Sequence, residues 1–256
     1  ELIEGGALRG GNLFHSFSQF NIGEGQRVYF ANPAGIENIL SRVTGNTLSN
    51  IFGTLGVDGG ANLFLLNPNG ITFGSNAKLD IAGSFVASTA NRLVFDNGAT
   101  FSAINPETSP LLSIHLTPGL QYGSNQPKAT IVNAGNLTVG QNLTLAAGNL
   151  DLQGQLQAGR DLTLFAQDTV KVRDSVTAPF IASTGGRLLV QGDRQIDIFA
   201  LNHPNSGFFA GGDMVLKSPN AVFGDAHYTT GGNFRIEQPD GSLGNLESPG
   251  DPVIRA

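Results

Sequence analysis

The sequence has no cysteine, no tryptophan and few charged residues, which make up 13% of the chain. That charged share is about half the usual one, whereas hydrophobic residues make up 40% and are sufficient for an ordered core. The lack of cysteine rules out disulfide bonds and fits a chain that crosses a membrane unfolded, where cross-links would block passage. A cytosolic origin would explain the lack of cysteine equally well.

Basic runs and long apolar runs are also lacking. The 14 lysines and arginines are scattered and the net charge is −6, so no nucleic-acid partner is expected. No apolar run exceeds four residues, as at Leu63–Leu66, which is far shorter than the ~20 residues of a membrane helix. No signal peptide is present and the chain starts at Glu1 rather than Met, which indicates a processed or trimmed segment.

What the sequence does contain is a short repeat. Each copy reads glycine, any residue, a polar residue, an apolar residue, any residue and a second apolar residue. The five copies are 140–145, 159–164, 185–190, 211–216 and 231–236. The first apolar residue of each copy anchors the repeat, and these anchors are Leu143, Leu162, Leu188, Met214 and Phe234.

The anchors are separated by 19, 26, 26 and 20 residues, which is typical of a solenoid built from units of about 20 residues. The period-two alternation predicts strands, and stacked copies can bury an apolar side that one copy cannot. We therefore predict an all-β fold, a β-helix, with the anchors in one internal row. Roughly ten coils, about 4.8 Å apart, would make a rod about 45–50 Å long.

Glycine and asparagine are abundant. The 35 glycines are about twice the average share. Both residue types tolerate positive φ, which tight coil corners are expected to require. Stacked asparagine side chains can also bond to one another along a solenoid, as they do in cross-β ladders.

Four prolines interrupt the rhythm between residues 102 and 128, and they are Pro106, Pro110, Pro118 and Pro127. Leu111–Leu116 between them has the pattern of a strand. We therefore expect a hairpin over about 102–128 that projects from the helix body. No Ser-rich or Pro-rich linker separates the parts, so residues 1–256 are expected to form a single domain.

One stretch is ambiguous. Apolar residues with helical spacing, bracketed by Gly35 and Gly45, would allow one short helix, and they are Ile36, Ile39, Leu40 and Val43. Both flanks are strand-like, which favours a strand here.

The most distinctive motif is Asn67-Pro68-Asn69-Gly70-Ile71, which an Asn-Pro-x-Gly-Ile stretch at Asn32–Ile36 echoes. Proline fixes φ, and Asn-Gly accepts left-handed conformations, so the motif predicts a tight corner between two strands. The presence of two such corners in one chain indicates a recurring motif and not a coincidence. Asn202, beside His203-Pro204, is by contrast expected to be an ordinary loop asparagine.

The motif at Asn67–Ile71 resembles the signature of the two-partner secretion domain at the N-terminus of filamentous haemagglutinin-like exoproteins. Asn32–Ile36 is similar to the companion motif of that domain, and segments 10–17, 59–66 and 110–123 resemble it too. The likeness covers nearly the whole chain. Ala34 departs from the companion motif, which has a second asparagine there. The chain also begins one or two strands into the family pattern, so a capping segment is expected to be missing.

The resemblance implies a right-handed parallel β-helix with small extra-helical sheets and a role in export. In this family an Omp85-type outer-membrane transporter (TpsB) recognises the domain in the periplasm through its POTRA domains. The domain then nucleates folding of a C-terminal passenger outside. This implies a Gram-negative exoprotein, secreted or at the cell surface, whose secretion domain is a monomer without a cofactor.

The resemblance carries a role in export onto the residues of the two corners, which are Asn67, Pro68, Asn69, Gly70, Ile71, Asn32, Pro33, Gly35 and Ile36. The sequence leaves open whether these residues contact the transporter or only shape the turns.

An enzyme is the main rival class, because β-helices also occur in polysaccharide-degrading enzymes, which need clustered carboxylates. The candidates are Asp193 and Asp197 with Arg194, and Asp168 with Asp174. Asp193 and Asp197 could share one face of a strand. No matching acids recur one coil away, so no catalytic residue is expected. The four histidines lack ligand spacing, so no metal site is predicted.

A third reading is that the rod itself is an adhesive, haemagglutinin-like surface. We expect adhesion to be a property of the passenger that follows this domain, and not of the domain itself. The C-terminal segment 248–256 has no capping helix or stop, so the natural chain is expected to continue into an adhesin, a toxin or another passenger.

Overall fold

A computed structural model describes residues 1–96, 98–106, 119–121 and 129–256, with 119–121 described in their backbone only. In these ranges the chain is all-β and contains no α-helix, so none of the described elements is a helix that could span a membrane. The predicted strand Leu111–Leu116 and most of the predicted hairpin at 102–128 lie outside the described residues.

The strands fall into three groups along the chain. The first group is β1 (Leu2–Ile3), β2 (Ala7–Arg9), β3 (Asn12–Phe17), β4 (Arg27–Ala31), β5 (Asn38–Val43), β6 (Ser49–Ile51), β7 (Thr54–Asp58), β8 (Asn62–Leu66), β9 (Ile71–Phe73), β10 (Lys78–Asp80) and β11 (Phe85–Ser88). The second group is β12 (Arg92–Val94), β13 (Thr100–Ser102) and β14 (Gly119–Gln121). The third group is β15 (Thr130–Asn133), β16 (Asn136–Val139), β17 (Leu143–Ala147), β18 (Asn149–Leu152), β19 (Gln155–Ala158), β20 (Leu162–Ala166), β21 (Thr169–Arg173), β22 (Ile181–Thr184), β23 (Leu188–Gly192), β24 (Gln195–Ala200), β25 (Gly207–Ala210), β26 (Met214–Lys217), β27 (Val222–Ala226), β28 (Tyr228–Thr230), β29 (Phe234–Glu237), β30 (Leu246–Glu247) and β31 (Ile254–Arg255).

Three long sheets, here called faces 1, 2 and 3, form the body of the molecule. Face 1 has the order β1-β4-β7-β10-β16-β19-β22-β25-β28-β31, face 2 the order β2-β3-β5-β8-β11-β17-β20-β23-β26-β29, and face 3 the order β30-β27-β24-β21-β18-β15-β9-β6. From β6 onward the chain visits faces 3, 1 and 2 in turn, apart from the second group of strands. Each circuit is one coil, so the molecule is the predicted parallel β-helix. At the edge of face 2, β2 pairs antiparallel with β3.

The predicted row of anchors is confirmed. Leu143, Leu162, Leu188, Met214 and Phe234 are direct partners from coil to coil. The row also extends towards the N-terminus through Phe85, Leu63, Ile39 and Leu13. Alternate residues of the strands point inward, and together they form one continuous apolar core. The ambiguous stretch after Gly35 is strand β5, as its flanks indicated.

The second group of strands leaves the stack and returns without disturbing it. Phe85 pairs directly with Leu143, although the two are 58 positions apart. Between them β13, β12 and β14 form an antiparallel sheet, here called the side sheet. An extra-helical sheet was predicted, and it begins at β12, before the predicted start at residue 102.

The side sheet covers an apolar strip on the outside of face 2. This strip continues from coil to coil through Phe14, Leu40, Phe64 and Val86, which are direct register partners. Leu93, Phe95 and Phe101 of the side-sheet hairpin pack against the strip in a second apolar cluster. The side sheet therefore depends on four coils at once.

The repeat glycines serve close packing and not positive φ, which corrects the expectation from the sequence. None of the five glycines that open the repeats has positive φ. A Cβ atom at Gly159 would lie 2.1 Å from the carbonyl oxygen of Gly140, and one at Gly211 would lie 2.2 Å from that of Gly185. The coils approach so closely at this corner that no side chain fits.

Asparagine side chains stack as predicted at the polar position of the repeat. Nδ2 of Asn38 donates to Oδ1 of Asn12 over 3.0 Å, and Nδ2 of Asn62 donates to Oδ1 of Asn38 over 2.9 Å. In the next coil the backbone N–H of Ser84 donates to Oδ1 of Asn62 over 2.8 Å. These bonds satisfy polar groups where the chain passes from face 1 to face 2.

Candidate functional site

The corner Asn67–Ile71 joins β8 of face 2 to β9 of face 3. The N–H of Gly70 donates to the carbonyl of Asn67 over 3.1 Å, which closes a four-residue turn. The N–H of Asn69 donates to Oδ1 of Asn67 over 3.0 Å, so the asparagine side chain supports its own turn. Gly70 has φ +120°, a conformation that glycine adopts without strain.

Asn67 is fully buried, with 0% of its surface exposed. Its Nδ2 donates to the carbonyl of Thr47 over 3.1 Å and to Oγ of Ser49 over 2.9 Å, both in the preceding coil. Its backbone N–H donates to the carbonyl of Ser88 in the following coil over 2.9 Å. A single residue thus ties three coils together at this corner.

The other residues of this corner differ in exposure. Pro68 and Gly70 are buried, and Ile71 points into the core with 0% exposure. Asn69 is the exposed residue, and its Nδ2 donates to the carbonyl of Gly45 over 2.9 Å. In the folded domain, therefore, Asn69 is the residue of this corner that a partner could contact most readily.

The corner Asn32–Ile36 joins β4 of face 1 to β5 of face 2. Here the turn is closed by the N–H of Ile36, which donates to the carbonyl of Pro33 over 3.1 Å, and Gly35 has φ +83°. The amide of Asn32, in the orientation that satisfies both its atoms, donates to the carbonyl of Ile36 and accepts from the N–H groups of Gly60 and Ala61, each over 3.1 Å. Ile36 is buried, whereas Pro33 and Gly35 are exposed.

The two similar motifs form different turns at different places. One turn centres on Pro68 and Asn69, and the other on Ala34 and Gly35. The strands of face 2 begin after the Asn32 corner and end before the Asn67 corner. The structure therefore does not bring the two motifs into one site. What they share is an asparagine that bonds to a neighbouring coil.

A groove with a volume of about 520 Å³ lies beside Asn69. It runs between the corner of the preceding coil, at Thr44, Gly45 and Asn46, and the segment Ala103–Asn105 after the side-sheet hairpin. Asn105 has φ +51°, which is uncommon outside glycine. Sequence reasoning missed this groove, and it also missed Ser49, the buried hydroxyl that Asn67 binds. Ser49 pairs in register with Ile71, whose side chain points into the core. A polar residue at such an inward strand position was the one feature of the sequence that could have pointed to a buried hydrogen bond at Ser49.

The carboxylates considered as catalytic candidates have structural partners. Asp197 accepts from Nη2 of Arg173 over 2.6 Å, and Asp193 accepts from Nε2 of Gln191 over 2.8 Å. Asp168 lies 3.3 Å from Nη1 of Arg194. These pairs belong to the outer side of face 3 and its corners.

Asp174 fastens the loop of the next coil. Its carboxylate accepts from Oγ of Ser206 over 2.7 Å, from the N–H of His203 over 2.8 Å and from Nδ2 of Asn202 over 2.8 Å. Burial alone would raise the pKa of Asp174, but these hydrogen bonds outweigh it and hold the pKa below its ordinary value. Asn202 is therefore not the ordinary loop asparagine that the sequence predicts.

Metal chemistry has no support in the described part of the chain, where no three histidine or acidic side chains are grouped around a common point. His115 lies outside the described residues. His203 and His227 each accept a backbone hydrogen bond at Nδ1, from Asn205 and Val253. His15 is buried between phenylalanines.

Stacked coils with bonded corners define a parallel β-helix domain. Comparison with known protein families narrows this class. A family described as the TPS secretion domain matches residues 2–236. The chain belongs to this family.

Individual relatives agree with that assignment. The Heme/hemopexin-binding protein of Haemophilus influenzae is 33% identical over 79 residues, which are 31% of this chain and 8% of that protein. The crystal structure of the HMW1 secretion domain from Haemophilus influenzae has a TM-score of 0.55 at 17% identity, covering 97% of this chain and 80% of the other. The filamentous hemagglutinin secretion domain has a TM-score of 0.54 at 17% identity, covering 96% and 90%. These two structures share the fold.

Proposed function

We propose that this chain is the segment by which a longer exoprotein is delivered to an Omp85-type outer-membrane transporter, TpsB, through the transporter's periplasmic POTRA domains. The chain acts as a single domain and a monomer, and it reaches the medium or the cell surface by way of the periplasm and the outer membrane. The observation that carries the proposal is the family match over residues 2–236, which includes both corner motifs.

The proposed mechanism depends on slow nucleation of folding in a parallel β-helix, followed by propagation from coil to coil. Parallel pairing is non-local, so the chain folds slowly enough to be captured before it is complete. Once the first coils exist, each exposed strand edge is a template for the next coil. Outside the cell, the finished stack nucleates folding of the passenger that follows.

We propose that Asn67 acts in this process by setting a corner, while Asn69 is the residue open to contact. Support comes from the full burial of Asn67 and its bonds to Thr47, Ser49 and Ser88. The Asn32 corner, between face 1 and face 2, has the same supporting role, because the side-chain amide of Asn32 accepts hydrogen bonds from Gly60 and Ala61 of the next coil. Pro33 and Gly35 add exposed surface there.

The test compares Asn67→Ala, Asn69→Ala and Asn76→Ala. Asn76 is the matched control, because it is exposed in the next corner along the chain and makes no side-chain hydrogen bond among the described residues. Secreted yield is measured in cells that carry the cognate transporter, and the thermal midpoint is measured on each purified chain.

We expect Asn67→Ala to lower the thermal midpoint, equivalent to about 1–3 kcal/mol, because buried donors and acceptors lose their partners. Its secretion should fall with it. Asn69→Ala should lower secretion with little change in midpoint, and Asn76→Ala should change neither. Normal secretion of an Asn67→Ala, Asn32→Ala double variant would contradict the proposed role of the corners in export.

A further inference from the structure

One part of face 1 carries a polar groove without charge. The groove has a volume of about 390 Å³ and is lined by Gln157, Ser183, Phe209 and Thr229, among others. These four residues lie on the consecutive strands β19, β22, β25 and β28 and are direct register partners. They therefore form a straight row that runs along the axis of the stack.

The polar side chains of this row are available for an external ligand. In the part of the chain that the structure describes, the amide of Gln157 and the hydroxyls of Ser183 and Thr229 make no hydrogen bond. Face 3 is different, because its charged side chains bind one another, as in Lys171–Asp151 and Arg173–Asp197. On face 1, by contrast, a row of unused donors and acceptors lies beside an exposed aromatic ring.

The chemistry of the groove selects a class of ligand. No aspartate, glutamate, lysine or arginine lines it, and the first charged residue beyond Thr229 along the row is its register partner Arg255. The groove itself therefore offers no counter-charge to phosphate or carboxylate groups, and the chain's net charge of −6 would repel them. Phe209 is 36% exposed, a single apolar platform among amide and hydroxyl groups. An aromatic ring of this kind stacks on the C–H face of a sugar, while amides and hydroxyls bond to the sugar's hydroxyls.

We propose that this row binds an extended, neutral polysaccharide that lies along the axis of the stack, with one sugar ring against Phe209. Neighbouring strands are about 4.8 Å apart, which is close to the length of one unit in an extended β-1,4-linked chain. Successive strands thus contact successive sugars. No carboxylate lines the groove, so the sugar is bound and not cleaved. This activity is independent of the proposed delivery to the transporter.

The test uses the purified chain with cellohexaose, xylohexaose and mannohexaose as neutral probes, and a hexauronate as the charged probe. Binding is measured by isothermal titration and by NMR perturbation of face 1 amides. The variants are Phe209→Ala, the pair Gln157→Ala with Thr229→Ala, and Phe199→Ala as a control. Phe199 is 43% exposed on face 3, where charged side chains surround it.

We expect at least one neutral hexasaccharide to bind in the millimolar range or tighter, and its trisaccharide to bind more weakly. Phe209→Ala should weaken binding by about tenfold or more. The double variant Gln157→Ala, Thr229→Ala should also weaken binding, whereas Phe199→Ala should leave it unchanged. Thermal midpoints equal to that of the parent show that each variant is folded.

Three results would each overturn the proposal. They are the absence of binding to all three neutral probes, tighter binding of the hexauronate, and neutral binding that survives Phe209→Ala. A dimer that forms without sugar and is abolished by Phe209→Ala would assign the row to self-association instead.

Discussion

Gly159 shows what the repeat demands of a single residue. A methyl group there would lie 2.1 Å from the carbonyl oxygen of Gly140 in the coil before. Since the oxygen belongs to the backbone and the methyl carbon is bonded directly to the backbone Cα, neither can move aside without separating two coils. The sequence predicted a glycine corner correctly, but it assigned the wrong cause, because φ is a local property and contact between coils is not visible locally.

We expect Gly159→Ala to destabilise the fold by about 3 kcal/mol or more, because the added methyl group overlaps a neighbouring backbone. The control is Gly60→Ala. A Cβ atom at Gly60 meets nothing within 4 Å, so that substitution should stay within about 0.5 kcal/mol. Denaturant midpoints of the two variants and the parent measure the difference. Equal stability of the two variants would contradict the close-approach explanation.

His15 makes the stability of the first coils depend on pH. It is 7% exposed, its ring lies 5.2 Å from that of Phe30 between centroids, and Nε2 is buried without a partner in the described residues. Burial lowers the pKa of His15 below its ordinary value of 6.5. The unfolded chain therefore binds a proton more readily than the folded one.

The sign of the effect follows from that difference. Stability is greatest above the unfolded pKa and is lost as the pH falls through about 6.5 towards the lower pKa of the folded state. We expect the thermal midpoint of the parent to drop over this range more than that of His15→Phe, which fits the same aromatic cluster. Parallel profiles for the two proteins would show that His15 does not contribute.

The partners of Asn67 mark the limit of sequence reasoning at this scale. The turn itself could be predicted, because Pro68 fixes φ and Gly70 accepts the positive φ that the turn requires. Its bonds to Thr47 and Ser49 could not be predicted, since they depend on which coils are neighbours and in what register. The same holds for Asn202, whose partner Asp174 is 28 positions away.

At the scale of elements, the side sheet depends for its packing on strands from four different coils. Arg42 of β5 fastens it, because Nε donates to Oγ of Ser16 over 2.7 Å and Nη1 donates to the carbonyl of Ser102 over 2.7 Å. The guanidinium lies 4.4 Å from the centroid of the Phe101 ring. An arginine of the stack thus holds both the backbone and a ring of the side sheet.

We expect Phe101→Ala to loosen the side sheet selectively, because Phe101 is fully buried in the cluster outside face 2. Deleting a buried phenyl ring costs about 3–5 kcal/mol where the site cannot collapse. Amide hydrogen exchange should accelerate in β12 and β13 and remain unchanged in β20. Uniform acceleration across the molecule would instead show that the side sheet and the stack unfold as one unit.

The strands themselves were predictable where a period of two was clear, as in β17 and β20. Strand β5 required its flanks to decide, since its apolar residues also match a helical spacing. The prolines at and after residue 106 point to a hairpin over about 102–128, most of which lies outside the described residues, and they give no sign of the strands β12 and β13 before it. These two strands lack prolines and are distinguished only by what they pack against.

At the scale of the whole molecule, the carboxylates considered as catalytic candidates are engaged in hydrogen bonds within the chain. We expect no turnover of pectin or alginate by the purified chain, since Asp197 is bound to Arg173 and Asp193 to Gln191. Release of unsaturated or reducing ends is the measurement. Cleavage that disappears in an Asp193→Ala, Asp197→Ala variant would establish an enzyme.

The direct pairing of Phe85 with Leu143 has a consequence for how such a chain can change over time. The entropic free-energy cost of closing a loop rises by only about 0.6 kcal/mol for each doubling of the loop's length. The part of this segment between β11 and β15 can therefore lengthen or shorten at small thermodynamic cost, while the stack on either side keeps its register. Mutations can remodel this excursion while the scaffold is conserved, so lineages that share one rod can differ mainly in what they carry on its side.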